Sequence, residues 1–85
     1  MLIQLLCNQA DLLKQYTINE TPILLLQNGV YAAKNILNEY PNAVLYALQA
    51  DWLAAGLNKP DRLSLITHNE WVALCEQHQP IVSVQ

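Results

Sequence analysis

Five short apolar runs, separated by segments of a different periodicity, set the strongest constraint on how this chain folds. They lie at residues 2–7, 22–26, 43–48, 63–66 and 81–84, and they are nearly continuous in Leu, Ile and Val. Strands read this way when helices cover both faces of their sheet, whereas a half-exposed strand alternates apolar with polar residues. The intervening stretches at 10–16, 30–38, 51–55 and 68–78 carry helix-like patterns. Strand–helix repeats joined by short loops favour a parallel sheet between two layers of helices. The expectation is an α/β fold, a three-layer α/β/α arrangement with a five-stranded parallel sheet, formed by one domain over residues 1–85.

Local signals sharpen the boundaries. Thr67-His68-Asn69-Glu70 fits a capping box, in which the Thr67 hydroxyl and the Glu70 carboxylate satisfy free backbone N–H groups reciprocally. Gly56 stands where a helix C-cap is needed after residue 55, and Pro80 ends the last helical stretch. Trp71, Leu74, Cys75 and His78 recur at helical spacing, as a stripe packed against the sheet would.

Composition then bears on what surrounds such a fold. Hydrophobic residues make up 53% of the chain and charged residues only 13%, against roughly 25% charged in an ordinary soluble domain. A chain of this size buries only about 60–65% of its unfolded surface, so surplus apolar surface needs a membrane or another protein to cover it. A spanning helix requires about 20 consecutive apolar residues. The runs here are far shorter, such as Ile23-Leu24-Leu25-Leu26. Met1-Leu2-Ile3-Gln4-Leu5-Leu6 has no basic residue ahead of its apolar stretch, unlike a signal peptide. The expectation is a cytoplasmic protein with a protein partner and no membrane contact. The formal net charge is −3, and Lys14, Lys34, Lys59 and Arg62 are scattered along the chain, which disfavours direct nucleic-acid binding. Cys7 and Cys75 read as free thiols.

In a parallel α/β sheet, function gathers at the carboxyl ends of the strands. The groups placed there are Cys7-Asn8, Gln27-Asn28-Gly29, Gln49-Ala50-Asp51 and Thr67-His68. Cys7, ahead of a helical stretch, is either a nucleophile favoured by the helix terminus or a small apolar residue closing a strand. Cys75, within a helix, reads as core. Cys75 and His78 could supply half a metal site, but a structural zinc needs four ligands, and nothing near Cys7 has paired spacing. Asn28-Gly29 could hold an anion on exposed N–H groups, or Gly29 could simply permit a tight turn, including one with positive φ. Gly29 and Gly56 are the only glycines, so neither a dinucleotide fingerprint nor a phosphate loop can be written. Asp51 is a candidate acid but equally suits the first turn of a helix. Ser64 and Ser83 lie in strand runs, and no cofactor is indicated.

Three segments in register resemble the DsrH/TusB family of bacterial sulfur-relay proteins. They are Leu24-Leu25-Leu26-Gln27-Asn28-Gly29-Val30-Tyr31-Ala32-Ala33, Leu45-Tyr46-Ala47-Leu48-Gln49-Ala50-Asp51-Trp52-Leu53-Ala54-Ala55-Gly56-Leu57, and Leu65-Ile66-Thr67-His68-Asn69-Glu70-Trp71-Val72-Ala73-Leu74. The resemblance implies a DsrEFH-like five-stranded α/β/α fold. It further implies a subunit that joins TusC-like and TusD-like paralogues in a heterohexamer. That complex takes persulfide sulfur from a TusA-like protein and passes it through a TusE-like protein toward the 2-thio group of the tRNA wobble uridine. In sulfur-oxidising organisms, DsrE, DsrF and DsrH form the equivalent complex. Motif and interface residues implied by it are Gln27, Asn28, Gly29, Val30, Tyr31, Asp51 and Gly56. The chain departs from the family in having Asn28 for a common Asp, Ala55 for a common Arg, and Leu13 where DsrH members carry a first-helix cysteine. In the implied complex the sulfur-carrying cysteine belongs to the TusD-type subunit, so this chain is expected to be non-catalytic. The alternatives are a homo-oligomer binding a small anion or nucleotide at Asn28-Gly29, or a persulfide carrier at Cys7.

Overall fold

The computed structural model describes residues 1–16 and 21–85. Each apolar run supplies a strand: β1 (Leu2–Leu5), β2 (Ile23–Leu25), β3 (Leu45–Leu48), β4 (Leu63–Ile66) and β5 (Ile81–Val84). All pairings are parallel, and the sheet order is β4-β3-β2-β1-β5. The last two strands match the sequence expectation to the residue, whereas β1 ends two residues before its apolar run does, β2 lacks one residue at each end of its run, and β3 begins two residues into its run. Of these flanking residues Leu26 and Ala43 stay buried, whereas Val44 is exposed.

The order follows from handedness. Crossovers between parallel strands are right-handed, so the face on which a helix lies depends on the direction of the step across the sheet. From β1 to β4 every step runs the same way. The connecting segments are a 3₁₀ helix (Ala10–Gln15), a 3₁₀ helix (Gln27–Ala32) leading into α1 (Ala33–Glu39), and α2 (Gln49–Ala55). Their Leu13, Val30, Ile36 and Trp52 pack with Ile3, Leu5, Ile23, Leu25 and Leu45 in the larger core cluster. The step from β4 to β5 runs back across the whole sheet, so α3 (His68–Gln77) lies on the other face. There Trp71, Leu74 and Cys75 pack against Leu2, Leu24, Leu26, Leu48 and Ile66.

Side-chain alternation in β1 and β2 divides Leu and Ile between the two clusters, which explains why the central runs are apolar throughout. Ile3, Leu5, Ile23, Leu24 and Leu25 are completely buried. At about 1.5–3 kcal/mol per buried aliphatic side chain, these positions dominate the stabilisation of the sheet. The two edge strands differ: Ser64 in β4 and Ile81 and Ser83 in β5 are exposed.

The helix signals hold in detail. Thr67 Oγ1 accepts from the Glu70 N–H at 3.3 Å, and the Thr67 N–H donates to Glu70 Oε1 at 3.0 Å, completing the capping box of α3. Gly56 caps α2 in the left-handed conformation, at φ 69°. The stretch expected as one helix from residue 30 is instead a 3₁₀ helix followed by the short α1. No helix of the described residues is long and apolar enough to cross a membrane.

Candidate functional site

The connection after β3 turns to one face of the sheet and that after β4 to the other, so their paths diverge at the carboxyl ends of the strands. Such a divergence opens a crevice where α/β folds characteristically bind partners or ligands. Here a cavity of about 340 Å³ is lined by Gln4 and Leu48 on the strands, Leu6 and Leu26 just past the ends of β1 and β2, His68 and Trp71 on α3, Gln27 on the second 3₁₀ helix, and Ala50 and Asp51 on α2. A smaller one of about 200 Å³ lies beside it, lined by Gln27, Asn28, Tyr31, Asp51, Ala54 and Ala55.

Gln27 and Asp51 border both cavities and are bonded to each other. Asp51 Oδ2 accepts from the Gln27 backbone N–H at 2.8 Å. Gln27 is the only non-glycine residue with positive φ among those described, at 52°. The left-handed twist turns the chain sharply after β2 and leaves its amide outside the ladder, where the carboxylate takes it up. Asp51 therefore does more than favour the α2 N-terminus: it locks the β2 turn to α2.

Gly29 has a different reason from the one expected of it. It is buried, its φ is not in the left-handed region, and the positive φ falls two residues earlier. A Cβ at Gly29 would stand 2.8 Å from the Leu5 carbonyl carbon and closer still to the oxygen. That carbonyl already accepts from the Leu26 N–H at 3.0 Å, so β1 and the β2 turn are in backbone contact where only glycine fits.

The other sequence-predicted residues separate. Asn28 and Tyr31 are exposed at the smaller cavity, Val30 is buried in the core, and Gly56 is an exposed helix cap. Cys7 is half-buried and packs partly on the larger core cluster. The 3₁₀ helix begins at Ala10, where the sequence pattern places it, with Asn8 and the N-cap Gln9 between it and Cys7, and Cys7 lines neither cavity. Cys75 is half-buried instead of core, and both cysteines are free thiols. Among the described residues, no three His, Cys, Asp or Glu side chains gather as a metal site would require.

Sequence reasoning missed Gln4. Its Nε2 donates to Cys75 Sγ at 3.6 Å and its Oε1 accepts from Ser83 Oγ at 3.4 Å, linking β1 to α3 and β5 on the floor of the crevice. A lone amide inside an apolar run was the available signal. The His68 and Trp71 rings stack obliquely beside it, with centroids 5.6 Å apart. The arrangement can position a partner group by shape and hydrogen bonds; no thiol or hydroxyl lines the larger cavity to act as a nucleophile.

Comparison with known proteins gives these features a context. No curated protein matches the chain. A family model described as DsrH like protein matches residues 5–81, from the last residue of β1 to the first of β5. The match spans the Gln27 turn, the Asp51 helix and the capped α3 together, and the chain belongs to the DsrH-like family.

Proposed function

We propose that this chain is a non-catalytic subunit of a TusBCD-like sulfur-relay complex, which passes persulfide sulfur toward 2-thiolation of the tRNA wobble uridine. The observation that carries the reading is the DsrH-like match over residues 5–81. The partners are TusC-like and TusD-like paralogues in a heterohexamer, with TusA-like and TusE-like proteins acting on the assembled complex in the cytoplasm. The crevice, which lacks a thiol, suits a subunit that shapes a complex and leaves the sulfur chemistry to a neighbour. Exposed Tyr31 and Leu53 lie on the two helices joined by the Gln27–Asp51 bond, and exposed Leu57 follows the Gly56 cap. That region is the candidate interface, with Gln27, Asn28, Tyr31 and Asp51 at its rim.

Deleting the gene and measuring wobble 2-thiouridine by mass spectrometry of digested tRNA tests the reading. Loss of the 2-thio group, restored by the wild-type chain and equally by Cys7→Ser, is the expected result. Unchanged thiolation in the deletion strain rejects it. Restoration by wild type but not by Cys7→Ser would instead make Cys7 the carrier. Gentle purification of the tagged chain is expected to recover two small α/β paralogues, one with a reactive cysteine. Recovery as a homo-oligomer alone would favour the anion-binding alternative.

A further inference from the structure

On the side of α2 away from the crevice, the chain forms a separate concavity of about 470 Å³, between the second 3₁₀ helix, α1, α2 and the segment leading to β4. Val30, Trp52, Leu57 and Pro60 supply apolar walls, and Lys34 and Lys59 lie on its lining. The chain has four Lys and Arg residues and a formal charge of −3, so half of its cationic side chains border this one depression. Among the described residues, neither lysine pairs with a carboxylate. The one ion pair among the described residues is Lys14–Asp11, and Lys59 Nζ donates to the Pro60 carbonyl at 3.2 Å. Two positions that are far apart in sequence thus bring positive charge, unpaired among the described residues, to an apolar surface.

That combination has a definite chemical complement. A volume between about 300 and 1,000 Å³ is the ordinary range for small-molecule sites, which pair apolar walls with a few placed polar groups. An inorganic anion would leave the apolar walls wet, and a nucleotide triphosphate carries more charge than two lysines offset. We infer that this concavity binds a small organic anion, a monocarboxylate on an aryl or branched aliphatic body. The body lies against Trp52 and Leu57, and the carboxylate faces Lys34 and Lys59. The concavity shares no lining residue with the larger crevice cavity, but Tyr31 and Leu57 also belong to the candidate interface, so the isolated chain is the species to titrate.

Titration of 4-phenylbutyrate into the ¹⁵N-labelled full chain, followed by amide and indole N–H shifts, tests it. Saturable shifts are expected at Val30, Lys34, Leu57, Lys59 and the Trp52 indole, with Kd on the order of 2 mM for a ligand of this size. Lys34→Gln and Lys59→Gln, both exposed positions, should each weaken binding about two- to fivefold, the range for solvent-exposed ion pairs. The neutral analogue 4-phenylbutan-1-ol should bind more weakly than the carboxylate by a similar factor. No saturable shift up to about 20 mM, some tenfold above that Kd, overturns the inference. So do shifts that map elsewhere, equal binding of the alcohol, or unchanged affinity in both lysine variants.

Discussion

Replacing Gly29 with alanine separates two accounts of why a glycine stands at the β2 turn. Were backbone freedom the reason, the cost would come from a left-handed φ, but Gly29 does not have one. On conformational entropy alone, alanine would then be stabilising by about 0.4–1 kcal/mol. The packing account gives the opposite sign. The new methyl group meets the Leu5 carbonyl carbon at 2.8 Å and its oxygen closer still, and both are backbone atoms of the fully buried β1. An ordinary C···O contact is about 3.3 Å or longer, so β1 and the turn must part by something on the order of 1 Å. Overpacking of this kind costs about 1–3 kcal/mol, and loosening the 3.0 Å Leu26–Leu5 hydrogen bond about 1 kcal/mol more. The net expectation is a loss of about 2–3 kcal/mol, against a total of roughly 4–13 kcal/mol for a domain of this length. With a urea m value of about 1 kcal/mol/M, the midpoint followed by far-UV circular dichroism should fall by about 2–3 M. Gly29→Val should do worse. An alanine variant that melts at or above the wild-type midpoint would refute the backbone-contact argument.

Three further substitutions probe other links. Gly56→Ala should cost about 1 kcal/mol in the same melt although nothing lies within 4 Å of the new Cβ, because φ is +69°; Gly56→Asn should recover most of the loss. Thr67→Ala removes one arm of the capping box and should lower stability by about 1 kcal/mol, with faster hydrogen exchange at the Glu70 amide. Asp51→Ala removes the carboxylate that accepts from Gln27, and about 1 kcal/mol of stability should go with it. The Gln27 amide should exchange much faster in that variant, and unchanged protection there would mean that the bond does not hold the turn.

The candidate site was only partly legible along the chain. Gln27 and Asp51 could both be placed at strand ends by pattern, but their 2.8 Å bond joins residues on different strand–helix units, and no periodicity encodes it. Gln4 was hidden for a related reason. A single amide in an apolar run gains meaning only when parallel pairing sets Ser83 beside it and the return crossover sets Cys75 above it.

What the sequence determined by itself was everything local in cause: five strands from five apolar runs, the capping box at Thr67 and Glu70, the Gly56 cap, and the parallel α/β class that continuous Leu and Ile runs require. These follow from periodicity and from hydrogen bonds spanning a few residues. Only the tertiary structure decided which strands are edges, that α3 alone covers one face, and that Gly29 is required by β1 and not by its own torsion angles. It also decided that Lys34 and Lys59 share a concavity although the sequence scatters them. Each of these depends on the direction of the crossovers and on which backbone lies against which, relations between segments that a linear pattern does not contain.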